Sequence, residues 1–186
     1  MLNLKIRYLL ISNYLNLFAF SFFSPLYALF VVGLGGNAKI VGLSAGVGAY
    51  ATALMILLFG RFENTRRHKE KLVVLGYFWL AAGAASYMLV THIWQLFVVQ
   101  IFNAIGAGML SPALKTVYAS WEDKGKETQE WSFWDGGNAI FMATGAILGG
   151  FLLSALGGFK SLFALIGLIQ LIAACISIKI LRKKSA

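Results

Sequence analysis

Residues 60–71, GRFENTRRHKEK, decide how this chain is read. They hold five of its sixteen lysines and arginines, and long apolar runs flank them on both sides. A basic side chain at the centre of a membrane helix costs about 2.5–3.5 kcal/mol on insertion scales. So dense a cluster cannot enter hydrocarbon. It marks a turn at a membrane face, and it fixes the side on which the two flanking runs end.

Composition agrees with that reading. The 186 residues are 59% hydrophobic and 12% charged, with a mean hydropathy of +0.76. An average soluble domain carries about 25% charge, so half of that is missing here. Working outward from the loop, six uncharged stretches stand out at about 8–32, 40–59, 72–90, 93–116, 133–156 and 162–178. Each is roughly long enough to cross a bilayer at about 1.5 Å per residue, the fourth only if Lys115 snorkels to the interface. Backbone polar groups in lipid must pair internally, which leaves helices or a closed barrel. The alternation a barrel needs is absent. The expected fold is all-α, with residues 1–186 forming a single six-helix transmembrane domain. The run at 8–32 is too long for the core of a signal peptide and reads as a retained first span.

Orientation follows from the cations. With the N-terminus in the cytoplasm, fourteen lysines and arginines fall inside, and only Lys39 and Lys160 fall outside. The positive-inside rule then places both termini in the cytoplasm, in the cytoplasmic (inner) membrane if the source is prokaryotic. The net charge of +9 is spent at helix ends, where it suits anionic lipid, and no basic face for nucleic acid is expected. Trp121, Trp131 and Trp134 flank the inner loop at 117–131 and are expected to anchor at headgroups.

The two prolines expose an internal repeat. Pro25 and Pro112 each follow a serine and lie 87 residues apart. The same offset lays Asn13 on Gln100, Asn16 on Asn103 and Ser24 on Ser111. Within each span the three polar residues sit at i, i+3 and i+11, on one helical stripe. The two spans run in opposite directions, so this pattern predicts an inverted repeat of three helices plus three. Small residues crowd spans two and five, including Gly48 in the former and Gly145, Gly149 and Gly150 in the latter. In lipid, close helix approach needs such residues, which makes these spans the expected contact surfaces.

The opening loop also bears a family resemblance. Gly60, Phe62, Asn64, Arg67, His68 and Lys69 follow the spacing of motif A of the major facilitator superfamily, roughly G-x-L-x-D-x-x-G-R-R. Asn64 stands where the family has Asp, removing a charge that in the family helps lock the inner gate. Ser24-Pro25-Leu26-Tyr27 is similar to the end of the family's first helix. QIFNAIGAG at 100–108 resembles its fourth-helix motif, and Gly145, Gly149 and Gly150 a fifth-helix motif with Ala146 in place of Pro. The likeness covers one six-helix half of a normally twelve-helix transporter. It implies alternating access by a dimer, either a homodimer or a pairing with a second six-helix chain, around a small-molecule solute.

On that footing Asn13, Asn16, Ser24, Tyr27, Gln100, Asn103, Ser111 and Asn138 are the candidate pathway residues. Gly60, Asn64, Arg66, Arg67, His68 and Lys69 form the expected gating loop. Asp135 is the candidate for ion coupling, although an acid near the start of a helix also complements its dipole. No ionisable residue falls near the middle of a span, which favours an uncharged solute over proton coupling. His68 and His92 are expected on opposite faces, and with Cys175 they make no metal or nucleophile cluster. No metal, cofactor or enzymatic activity is expected. The alternatives are a non-transporting structural or regulatory membrane protein and a truncated half-transporter that needs a second half.

Overall fold

The computed structural model describes residues 4–63 and 69–181, which form helices and turns without a strand. Six rods result. The first runs through α1 (Leu4–Phe23), a 3-10 turn at Ser24–Leu26 and α2 (Tyr27–Gly33). Then follow α3 (Ala38–Glu63), α4 (Lys69–Tyr87), α5 (Ile93–Ser120), α6 (Glu127–Ala155) and α7 (Phe159–Ser177). Five rods are long and apolar enough to cross a membrane; α4 is the exception among the described residues. Its 19 residues open with Lys69-Glu70-Lys71, which leaves a shorter apolar stretch. The span expected to reach residue 90 ends earlier, because 88–90 close in turns such as Met88 N–H to Ala85 O at 3.1 Å.

The two Ser-Pro sites differ locally. Pro25, lacking an N–H, coincides with a tightening of the first rod into 3-10 geometry. Pro112 lies inside α5, which stays α-helical through it. The first rod then stops in a Schellman motif. Gly35 takes φ +85°, its N–H reaches Val32 O, and Gly36 N–H reaches Val31 O, both at 2.9 Å. A side chain at Gly35 would be strained in that conformation. At the start of α5, Gln95 Oε1 accepts from the backbone N–H groups of Thr91 and His92 at 2.7 and 3.0 Å, satisfying donors the helix leaves orphaned.

Neighbour relations are few and definite. α5 packs on α3 and α4, α1 packs on α6 and α7, and α4 packs on α7, while α1 and α5 barely meet. Two buried clusters mark the ends of the bundle. One gathers Ile6, Val73, Leu114, Tyr118, Trp134 and Ile180; the other gathers Phe30, Val31, Val90, Leu96 and Leu162. The first is the basic end, where α1 starts, α3 ends, α4 starts and the described chain stops at Leu181. Lys39 and Lys160 stand at the opposite, far end.

Trp134 departs from expectation. It is buried at the basic end, 4.7 Å from the ring of Tyr118 and 5.9 Å from that of Trp131. Its indole thus serves as core between α5 and α6. The loop it flanks is tied down from within, since the Tyr118 hydroxyl donates to Glu130 O and Glu130 Oε2 accepts from Asp123 N–H at 3.3 Å.

The glycines of α6 divide by face. A methyl at Gly145 or Gly149 would strike the backbone oxygen of Phe18 or Phe22 on α1, and one at Gly137 would strike the Tyr14 ring. Gly150 meets nothing in this chain. It is one residue, about 100° of helix, away from Gly149 and points outward, so its expected packing role is not realised between these helices.

Candidate solute cavity

The space left where α1 and α5 fail to touch is a cavity of about 470 Å³. Pockets of 300–1,000 Å³ are typical of small-molecule sites. Its lining comes from residues 16–27 of the first rod, 45–52 of α3, 80–87 of α4, 100–107 of α5 and 163–170 of α7. All of these lie between the middle of the bundle and the far end. Toward the basic end, Leu9, Leu10, Tyr77, Leu110 and Leu114 fill the interior.

Of the stripe residues, Asn16, Ser24, Tyr27, Gln100 and Asn103 line the cavity. The other three do not. Asn13 donates through Nδ2 to Asn138 Oδ1 at 2.8 Å, which joins α1 to α6 away from the cavity. Ser111 stands beyond it toward the basic end, on the far side of Gly108, where α5 closes on Met55 of α3. Asp135 is exposed on the third turn of α6 and is not among the residues lining this cavity. Of the expected gating loop, Asn64, Arg66, Arg67 and His68 lie outside the described residues. Gly60 lies in the last turn of α3 and Lys69 begins α4, and nothing lies within 4 Å of where a side chain at Gly60 would start.

Two amide arrangements give the cavity its polarity. Gln100 Nε2 lies 2.9 Å from the Tyr27 hydroxyl, which lies 2.6 Å from Ser44 Oγ, which lies 2.7 Å from Ile40 O. Two oxygens 2.7 Å apart repel unless a proton sits between them, and a carbonyl only accepts. Ser44 therefore donates to Ile40, Tyr27 donates to Ser44, and Gln100 donates to Tyr27. The same reasoning fixes Asn103, whose Nδ2 donates to Val99 O at 2.9 Å. Across the cavity, Gln170 Nε2 donates to Asn16 Oδ1 at 3.2 Å, linking α7 to α1.

Sequence reasoning missed Gln170, which is 4% exposed. It is the one amide in the strongly apolar α7, and a search for isolated polar residues in every span would have found it. The aromatic part of the wall was equally unannounced. Phe20, Phe23, Tyr87 and Phe163 line the cavity; Tyr87 stacks on Phe163 and Phe23 meets both edge-on, with centroids 4.8–5.3 Å apart. No Asp, Glu, Lys, Arg or His is among the lining residues. No group of His, Cys, Asp and Glu suited to a metal occurs among the described residues.

Comparison with known proteins adds three findings. The model of the family described as Major Facilitator Superfamily matches residues 9–186. An "Uncharacterized MFS-type transporter YitZ" of Bacillus subtilis (strain 168) is 31% identical over 141 residues, covering 73% of this chain and 82% of that protein. Among solved structures, an auto-inhibited peptide transporter of the POT family superposes with a TM-score of 0.74 at 17% identity, over 96% of this chain. The POT family transporter PepTSo does so with 0.72 at 15% identity, over 94%. The chain spans 37% of the length of each of these two solved transporters.

Proposed function

Because the chain belongs to the major facilitator superfamily, we propose that it is one six-helix half of a transporter that moves a small uncharged solute by alternating access. It is an integral membrane protein of transporter type. Peptide transport by the two solved neighbours is not carried over, since identities of 15–17% speak to fold alone. The observation that carries the proposal is the uncharged, amide-lined cavity between α1 and α5.

Three further features support the reading. Exchanging the first rod with α5, α3 with α6 and α4 with α7 maps α3–α5 onto α1–α6, α4–α5 onto α1–α7 and α4–α7 onto itself, as expected of an inverted three-plus-three repeat. The cations gather at one end, which the positive-inside rule assigns to the cytoplasm. Finally, α3 and α6 expose apolar stripes, with Tyr50 at 82% and Phe151 at 72% exposure. A second six-helix unit, in the simplest case another copy of this chain, would cover these stripes and close the cavity from the open side.

The test is uptake into liposomes bearing the purified protein, screened over a panel of uncharged solutes. Asn16→Ala and Asn103→Ala should each cut the uptake of any accepted solute severalfold. Full uptake by both variants would remove the cavity from the pathway.

A further inference from the structure

The cavity has a chemical direction, and it follows from where the carbonyls lie. Both amides on α5 spend one N–H inside the protein, Gln100 on the hydroxyl chain that ends at Ile40 O and Asn103 on Val99 O. Their oxygens, Gln100 Oε1 and Asn103 Oδ1, accept no hydrogen bond among the described residues. Each lies over a glycine, Gln100 Oε1 over Gly48 and Asn103 Oδ1 over Gly83, where a side chain would displace it. A third acceptor, Gln170 Oε1, is buried and unpartnered. The wall thus leaves three amide oxygens without a partner among the described residues, one of them buried. A buried acceptor without a partner is costly, and a ligand that supplies a donor regains that cost on binding.

Resting on the transport reading above, we propose that this cavity recognises an uncharged ring compound bearing N–H or O–H donors. The donors would meet the carbonyl oxygens of Gln100 and Asn103, and the ring would lie against Phe20, Phe23 and Phe163. An anion finds no lysine, arginine or histidine in the lining to offset its lost hydration. A cation finds oxygens and ring faces, but no carboxylate in the lining offsets its lost hydration. The Asn16–Gln170 pair is pinned by no backbone carbonyl. It can turn to present either a donor or an acceptor, and so accommodates a group of either kind on the opposite edge of the ring.

Four probes of one shape test this. Benzamide has donors and no charge, N,N-dimethylbenzamide has no donor, benzamidine is a cation and benzoate an anion. Binding to the purified full chain in detergent is followed by ligand-observed NMR, with empty micelles as the blank. Benzamide should bind on the order of fivefold or more tightly than each of the others, the equivalent of about one hydrogen bond. Gln100→Ala and Asn103→Ala should weaken it by a similar factor. Gln100→Glu should reverse the order in favour of benzamidine. Equal binding of benzamide and N,N-dimethylbenzamide by the unsubstituted protein, tighter binding of benzamidine, or no binding of benzamide would overturn the proposal. Benzamide bound as expected, yet not carried into liposomes, would uphold it and overturn the transport reading instead.

Discussion

Tyr27 joins three helices through one oxygen. It accepts from Gln100 of α5 and donates to Ser44 of α3, while itself starting α2 beyond the Pro25 turn. Tyr27→Phe keeps the ring and leaves a Gln100 N–H without a partner. Hydrogen bonds inside membrane bundles are worth about 0.6 kcal/mol on average, and an orphaned donor costs about 1–3 kcal/mol. Thermal unfolding in detergent should therefore show Tyr27→Phe destabilised by about 1 kcal/mol. Ser44→Ala should show less, since the Tyr27 hydroxyl can turn to another acceptor. At this scale the sequence was half legible. The polar stripes of the first rod and α5 could be read because an 87-residue offset lays amide on amide and serine on serine. Gln170 could not be placed, because its partner Asn16 lies 154 residues away and no local period connects them. Asn13 shares its stripe with Asn16 and yet turns to Asn138, because rotation along the rod brings α6 alongside before the cavity begins.

Helix pairs respond to changes according to face. Gly145 and Gly149 let α6 approach the backbone of α1 at Phe18 and Phe22, so a methyl there must push two helices apart. Gly149→Ala should cost about 1–3 kcal/mol by overpacking. Gly150→Ala, facing outward, should be close to neutral or slightly stabilising, as expected for a glycine within a helix. Unfolding of the two variants side by side in sodium dodecyl sulfate checks the difference. The existence of these helices was readable from uncharged length alone. Their rotation was not, because glycines occur all round α6 and only contact with α1 selects Gly145 and Gly149. Trp134 was misjudged for a related reason. A tryptophan near a helix end suits an interface by composition, but here Tyr118 and Trp131 pack against it.

For the molecule as a whole, side and partner are the testable quantities. Lys39 sits at the far end and Lys124 in the tied-down loop at the basic end. In a background with Cys175→Ala, Lys39→Cys should react with a membrane-impermeant maleimide on intact cells, and Lys124→Cys only after lysis. The reverse pattern would invert the proposed topology. Ile140, Ile147 and Phe151 form one exposed stripe along α6, spaced by seven and four residues. If two copies meet along it, Ile147→Cys should form an oxidised dimer in membranes. Ile172→Cys on α7, exposed yet away from both α3 and α6, should not. The count of helices, the charge asymmetry and the likeness to the family fold were all legible beforehand, because lipid and charge act on long stretches of chain. The gap between α1 and α5 was not, since it depends on which helices remain apart.

One consequence follows from the hydroxyl chain that ends at a peptide oxygen. Relay conduction needs every member to receive a proton and hand one on, and Ile40 O can do neither at neutral pH. The Gln100 end is equally mute, because a carboxamide does not ionise. The row of Gln100, Tyr27 and Ser44 is therefore a dead end for hydrogen ions.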